Sequence, residues 1–205
     1  MNYLYIFFET FLLGIIVSAP LGPMGILVVQ RTLNKGRMFG WISGLGVATA
    51  DIMFSIIALF GITAINVEVE NIWFRIIGGI ILAVVGILMY RTNPVTQIRK
   101  PVSGRHYINY YLTAFMLTLT NPLTILFFAA SFAAMGFTPD VMSSVKYSLV
   151  IGGVFAGAVT WWTSITTFLG MFRKKIKLRS LFWINKVSGV VVFILGLLSI
   201  LSIWF

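Results

Sequence analysis

At the centre of the first apolar run of this chain stands SAPLGPMG, residues 18–25. Proline lacks the backbone N–H that a helix needs, its ring clashes with the preceding turn, and the residue before it avoids the helical region. Two prolines that flank a glycine therefore predict a break in the middle of a helix built from residues 8–29. A second interruption, TLTNPLT at residues 118–124, lies near the middle of the apolar run 111–136. These two breaks decide how the rest of the chain is interpreted.

The composition indicates that lipid surrounds most of the chain. Hydrophobic residues make up 59% and charged residues only 10% of the 205 residues, whereas soluble domains carry about 25% charge. A transmembrane helix needs about 20 apolar residues, and lipid offers the backbone no hydrogen-bond partners. The sequence therefore predicts an all-α polytopic membrane protein, a single domain over residues 1–205 with six transmembrane helices. These helices are expected at residues 8–29, 39–62, 73–90, 111–136, 147–170 and 187–205.

The net charge of +10 is sorted along the chain in a way that predicts its topology. Nearly all of the 15 Lys and Arg residues lie in or beside every second connection, at residues 31–37, 91–105 and 173–186, and most of the five acids lie on the opposite side. Cytoplasmic loops of membrane proteins are enriched in Lys and Arg. We therefore expect these connections in the cytoplasm and both termini outside. This sorting explains the basic charge, so we expect no nucleic-acid partner.

The two breaks also predict an internal repeat. Each half of the chain, about 1–93 and 105–205, holds three predicted helices, and because three is odd the halves must run in opposite directions. PMGIL at 23–27 and PLTIL at 122–126 fall at corresponding places. Interrupted helices at matching positions of inverted halves are typical of the central site of a transporter. Each half-helix would direct its positive end at the membrane centre, where it attracts a carboxylate. The alternative is a pair of proline kinks that serve only packing.

Asp51 is the one ionisable residue that the predicted spans place deep in the membrane. An aspartate at the centre of such a helix costs about 2.5–3.5 kcal/mol. It is a candidate for carrying a coupling proton or for pairing with a substrate ammonium group. The alternative is a structural acid that bonds to Asn121 or to the broken backbone. In the fifth helix, Trp161 and Trp162 are candidates for a cavity wall, and plain packing explains them equally well.

Several function classes find no support in the residues. The chain has no Cys, which excludes disulfides, thiolate metal sites and cysteine nucleophiles. His106, the only histidine, is assigned to a solvated loop. The sequence has no paired carboxylates, Ser/His arrangement or spacing typical of metal ligands. We therefore expect no enzyme activity, no resident metal and no cofactor.

Ordered motifs along the whole chain resemble those of the lysine-exporter (LysE) family, which includes the homoserine and threonine exporters. The motifs are PLGP at 20–23, QRTL at 30–33, Gly36-Arg37, GLG at 44–46 with Asp51, Asn121-Pro122 before a Phe-rich run, and Trp161-Trp162. The resemblance implies a six-helix carrier in the prokaryotic cytoplasmic membrane that exports amino acids and is driven by the proton gradient. A homodimer is compatible with the sequence and is not required by it.

Carried over residue by residue, the resemblance assigns the motif positions of the family to Pro20, Gly22, Pro23, Asp51, Asn121 and Pro122. Asp51 is expected to bind the proton or the ammonium group, and the other five are expected to bind the substrate. That substrate is expected to be an amino acid or a related small zwitterion. The alternative is an exporter or channel for a cation or another small metabolite. The chain departs from the family pattern in having Leu21 between Pro20 and Gly22, and in having Met24 where many members have a polar Asn.

Overall fold

The computed structural model describes residues 3–20, 23–64, 72–91, 106–135, 144–171 and 178–201. Every regular element in these ranges is an α-helix, which confirms the predicted all-α class. In chain order the helices are α1 Tyr3–Ser18, α2 Pro23–Lys35, α3 Arg37–Ala64, α4 Ile72–Arg91, α5 Tyr107–Leu119, α6 Pro122–Ala134, α7 Ser144–Met171 and α8 Leu178–Leu201. Gly22, one of the expected substrate-binding residues, lies outside the described residues.

Two of these helices, α3 and α7, are each long and apolar enough to cross a membrane. The pair α5 and α6 passes the same test only as one span, bent by 63° at the break between them. α1, α4 and α8 contribute shorter apolar stretches. Length and composition therefore support two or three spans within the described ranges, and the arrangement of six spans stays a prediction.

Both predicted helix breaks are found where the prolines place them. α2 begins at Pro23 and α6 at Pro122, each a few residues after the preceding helix ends. In the second break, the N–H of Asn121 donates to the carbonyl oxygen of Thr118 at 2.9 Å. Proline suits the first position of a helix, because the N–H that it lacks would have no partner within the helix there. The predicted first and fourth helices are therefore each a pair of short helices.

Two helices extend into segments that the charge pattern assigned to basic loops. α2 continues beyond the predicted end at residue 29 as far as Lys35, and α8 begins at Leu178, ahead of its predicted start. α2 stops at Gly36, which has a φ of 116° and whose N–H donates to the carbonyl oxygen of Arg31 at 3.2 Å. This left-handed cap favours glycine. The expected loop position of Arg31 is therefore wrong, because the helix ends only where the chain supplies a cap.

Close glycine contacts show that α1 and α7 run parallel. A Cβ built on Gly153 of α7 would lie 2.8 Å from the carbonyl oxygen of Phe7. One turn later, Gly157 lies against the carbonyl group of Phe11. Both helices advance together along this contact, so they point in the same direction. Small residues of this kind allow helix backbones to approach closely inside a membrane protein.

α3 and α5 are also parallel, by contacts of the same kind. The rings of Phe39 and Tyr107 have centroids 4.8 Å apart. Two turns further along α3, a Cβ on Gly46 would lie 2.5 Å from the carbonyl oxygen of Tyr111. The contact therefore advances in the same direction on both helices.

α4 and α8 pack antiparallel through two reciprocal pairs of glycines. Gly79 meets Gly196, and Gly86 meets Gly189. A Cβ built on any of the four would lie between 2.6 and 2.9 Å from the carbonyl oxygen of its partner. Of these paired glycines, the earlier one on each helix thus faces the later one on the other, as expected for two equivalent helices that are related by a two-fold axis.

Two apolar clusters fill the interior of the bundle. The Phe cluster is formed chiefly by Leu13, Phe54, Leu59, Phe127, Phe128, Phe132, Val150 and Val154. The Trp cluster is formed chiefly by Met24, Leu27, Val28, Val47, Ala48, Ala114, Ala158 and Trp162. α1 and α6 contribute to the Phe cluster, whereas α2 and α5 contribute to the Trp cluster. Both helix breaks therefore lie at the boundary between the two clusters.

Candidate functional site

A polar layer, which we define by Ser18, Asp51 and Thr118, lies at the boundary between the Phe and Trp clusters. All three side chains are buried. Ser18 and Thr118 stand in the last turn of the helices that precede the two breaks, and Asp51 lies on α3 between its contributions to the two clusters. The Thr118 hydroxyl donates to the carbonyl oxygen of Ala114 at 2.8 Å. Three buried polar side chains thus lie at the level where the helices are interrupted.

The carboxyl group of Asp51 is joined to the first break. Its side chain is only 2% exposed, and Ser18 Oγ donates a hydrogen bond to its Oδ2 at 3.3 Å. Within the described residues, the hydrogen bond that the carboxyl group accepts comes from this neutral hydroxyl. A buried carboxylate with so little compensation is costly unless a proton or a cation neutralises it. The position of Asp51 therefore suits a carboxyl group that is neutralised in turn by a proton and by a bound cation.

The second break is organised by the side chain of Asn121. Its Nδ2 donates to Thr124 Oγ1 at 3.1 Å, and the backbone N–H of Thr124 donates to the Asn121 carbonyl oxygen at 3.3 Å. Asn121 is partly buried, as is Pro20 in the first break. Pro23 and Pro122 stand at the starts of α2 and α6. The described candidate residues of both breaks therefore border the same boundary between clusters.

The two tryptophans of α7 lie on the Trp-cluster side of the polar layer. Trp162 is 2% exposed, and Trp161 packs against the same cluster. Gly44 of α3 makes room for this ring, because a Cβ there would lie 2.6 Å from the Cβ of Trp162. Neither indole N–H has a hydrogen-bond acceptor in the described structure. A buried donor without an acceptor costs about 1–3 kcal/mol, so these two N–H groups are candidates for contacts with a polar ligand.

Arg31 is a buried charged residue that the sequence analysis placed in a family motif and in a basic connection but did not include among the site residues. It is 5% exposed. Its Nη1 donates to Ser43 Oγ at 2.8 Å and to the carbonyl oxygen of Tyr110 at 2.7 Å. The guanidinium carbon lies 4.8 Å from the centroid of the Tyr110 ring, and Nη2 has no partner in the described structure. One guanidinium therefore joins α2, α3 and α5.

A signal in the sequence could have found this residue. No glycine or proline interrupts the chain between Gly25 and Gly36. A helix that continues to Gly36 places Arg31 four residues after Leu27 and three after Val28, on the same helical face. Leu27 and Val28 are both buried in the Trp cluster. Reading the helix to its glycine cap, rather than to the end of its apolar run, predicts a buried arginine.

The described residues contain no group of three or more His, Asp or Glu side chains that could hold a metal ion. Asp51 has serine as its described neighbour, and Arg31 has serine and tyrosine. The two buried charged groups among the described residues thus lie in separate surroundings and have opposite charge.

The two helix breaks and the two buried charges lie within a region that matches a known family. The family model described as LysE type translocator matches residues 15–202. The chain belongs to the LysE-type translocator family. The match confirms the resemblance that the motifs indicated, and it makes the chain an integral membrane protein of a transporter family.

Two relatives of the LysE-type chain cover different shares of it. "Putative amino acid efflux protein YcgF" of Bacillus subtilis (strain 168) is 23% identical over 199 residues, which is 93% of each chain. "Uncharacterized membrane protein YahN" of Escherichia coli (strain K12) is 33% identical over 112 residues, 52% of this chain and 50% of the relative. The first of these similarities therefore extends over both halves.

Proposed function

We propose that this LysE-family protein exports amino acids or related small zwitterions from the cytoplasm in exchange for protons. The observation that carries the proposal is the buried carboxyl of Asp51, bonded to Ser18 at the end of a broken helix. The name of the relative YcgF, which refers to amino acid efflux, supports the same class of substrate. The polar layer is the proposed substrate site.

Competition for Asp51 couples the two movements in this proposal. A substrate ammonium group and a proton each neutralise one negative charge, so the carboxyl holds one or the other at a time. The substrate leaves when a proton from the outside replaces it, and the proton leaves when a new substrate arrives from the cytoplasm. Exchange follows because the empty, charged carboxylate is costly inside the bundle.

The starts of α2 and α6 supply the complementary charge. Both helices begin with proline at a break near the polar layer, and the N-terminus of a helix attracts anions. The substrate carboxylate is proposed to lie at these ends, beside Pro20, Gly22, Pro23, Asn121 and Pro122. Trp161 and Trp162 are proposed to form a wall of the site with their free indole N–H groups.

Two inverted three-helix halves that cross the membrane six times are part of the proposal. The halves share an order of two short helices, one long helix and a single helix, and α3 and α7 each have 28 residues. The parallel pairs α1/α7 and α3/α5 and the antiparallel pair α4/α8 support alternating spans. The positive-inside rule then places both termini outside a prokaryotic cytoplasmic membrane.

The proposal is tested by efflux from proteoliposomes that contain purified protein and a panel of labelled amino acids. Each amino acid is measured with and without an imposed pH gradient, and with an ionophore that collapses it. Efflux of one class that accelerates with the gradient supports the exporter. Amino-acid efflux that ignores the gradient overturns the coupling. Flux of inorganic cations without any amino-acid flux favours the alternative, a cation exporter or channel on the same fold.

A further inference from the structure

We infer that Arg31 forms a carboxylate-binding site at the cytoplasmic end of the bundle, separate from the polar layer. The inference rests on the proposed function for its direction, because the topology of that proposal places this end of α2 in the cytoplasm. The site would receive the carboxylate of the substrate before the substrate reaches Asp51.

The geometry of the guanidinium leaves one side uncommitted. Nη1 uses its hydrogens for Ser43 and the Tyr110 carbonyl. Nη2 is buried without a partner in the described structure. Carboxylates bind guanidinium groups through two parallel N–H bonds, and Nη2 takes part in either forked edge of the group. Because Nη1 is committed, the forked edge that remains is formed by Nε and Nη2, and Nη2 is a donor that a carboxylate on this edge would use.

The charge of Arg31 also lacks a counter-ion among the described residues. Its three contacts are a hydroxyl, a backbone carbonyl and an aromatic ring. Arginine stays protonated, so the charge cannot be removed as it can on a buried lysine or aspartate. Lys35 and Arg37 are exposed within two turns of it, which adds to the positive potential. A fixed buried cation with a free donor is best completed by a bound anion.

The position of Arg31 suits a first binding step. On α5, the contact residue Tyr110 is buried, whereas Tyr107, Ile108 and Asn109 just before it are exposed. The guanidinium therefore lies about one turn below the end of the bundle. On α3, Ser43 is eight residues before Asp51, which is about 12 Å along a helix. The two buried charges are thus too far apart for one small amino acid to bind Asp51 through its ammonium group and Arg31 through its carboxylate at the same time.

A carboxylate fits this site better than a phosphate group. Arg31 is enclosed by α2, α3 and α5 rather than lying on the lipid face. Its remaining forked edge presents one pair of N–H groups, which matches the two oxygens of a carboxylate, whereas phosphate offers three or more strong acceptor oxygens. Lipid phosphate would also have to leave the membrane surface to reach it. Inorganic phosphate is therefore the discriminating probe in the test.

The test measures thermal unfolding of the purified full-length protein in detergent with sodium acetate, sodium chloride or sodium phosphate at equal ionic strength. Acetate is expected to raise the Tm of the wild type above its value in chloride, because a ligand that binds only the folded state stabilises it. The rise is expected to be absent in Arg31→Gln and retained in Lys35→Gln, which removes an exposed charge one turn away. Arg31→Lys should lower the apparent acetate affinity about tenfold or more, since an ammonium group cannot form the fork.

If Arg31→Gln does not fold, Arg31→Lys carries the decision. No acetate effect on the wild type, or an equal effect on wild type and Arg31→Lys, overturns the site. A rise in phosphate as large as in acetate overturns its carboxylate class and favours a phosphate or lipid-headgroup site. The measurement needs no transport, so a failure of amino-acid export would not change its result. Likewise, the absence of an acetate effect would not exclude amino-acid export.

Discussion

Asp51 and Arg31 are both buried charged residues on neighbouring helices, yet their surroundings differ. Asp51 receives one hydrogen bond from a neutral hydroxyl beside a helix break. Arg31 lies inside a continuous helix and is held by a hydroxyl, a carbonyl and a ring. A carboxyl group can become neutral by taking a proton, whereas a guanidinium keeps its charge. The first arrangement suits a group that changes state during transport, and the second suits a permanent anion site.

The largest expected effect comes from reversing the fixed charge. Arg31→Glu would place a carboxylate against the Tyr110 carbonyl oxygen, with no basic partner there among the described residues. We expect a loss of about 3–5 kcal/mol in the free energy of unfolding, because an uncompensated buried charge is left. Arg37→Glu, at the exposed start of α3, should change it by about 0.5 kcal/mol or less. Thermal unfolding in detergent measures both, and equal effects would show that Arg31 is not specially enclosed.

A smaller loss is expected when one acceptor of the guanidinium is removed. Ser43→Ala deletes the hydroxyl that accepts from Nη1 at 2.8 Å. Hydrogen bonds to charged groups contribute about 1.5–3 kcal/mol, and we expect a loss of stability in that range. The control is Ser148→Ala, an exposed residue whose hydroxyl bonds to its own helix. A Ser43→Ala variant as stable as this control would contradict the described role of the contact.

The difference between the two charges also explains what the sequence could predict. Proline chemistry is local, so residues 18–25 and 118–124 were enough to place both breaks. Asp51 was found because it stands alone in an apolar run. The burial of Arg31 was not predicted, because Lys and Arg near the end of a span usually mark a loop, whereas here α2 continues to the glycine cap at Gly36.

The close packing of α3 on α7, between the levels of the two charges, can be tested by adding a methyl group at Gly44. Gly44→Ala would bring a Cβ to 2.6 Å from the Cβ of Trp162. The tryptophan or the helix must shift, and overpacking of this kind costs about 1–3 kcal/mol. Gly61→Ala, on the same helix with nothing within 4 Å of its added Cβ, should be neutral or slightly stabilising. Melting curves of the two variants decide, and similar Tm values would contradict the tight packing of α3 on α7.

The smallest effect is expected at the partner of the carboxyl group. Ser18→Ala removes the donor to Asp51 Oδ2 and should slow gradient-driven export about two- to tenfold, as a single hydrogen bond allows. Ser55→Ala is the matched control, because Ser55 is buried one turn from Asp51 and bonds to the Ile52 carbonyl of its own helix. Initial efflux rates at equal amounts of reconstituted protein give the comparison. An equal loss in both variants would indicate a general packing effect.

The contacts of the site were harder to predict than its residues. Ser18 and Asp51 are far apart in the sequence, and their hydrogen bond depends on how α1 packs against the bundle. The contact of Arg31 with the Tyr110 carbonyl likewise joins distant helices. Hydropathy and helix-breaking residues give the level of a group in the membrane, but the partner of that group is decided by tertiary packing.

Gradient-driven efflux by the wild type and by Asp51→Asn, reconstituted side by side, tests the role of the buried carboxyl most directly. Asparagine keeps the size of the side chain and cannot exchange a proton. Glu9→Gln is the control, because it removes another carboxyl of the same bundle from a less buried position on α1. We predict that Asp51→Asn folds and inserts but loses gradient-driven export, while Glu9→Gln retains it. Export by Asp51→Asn that still responds to the gradient as the wild type does would contradict the proposed exchange.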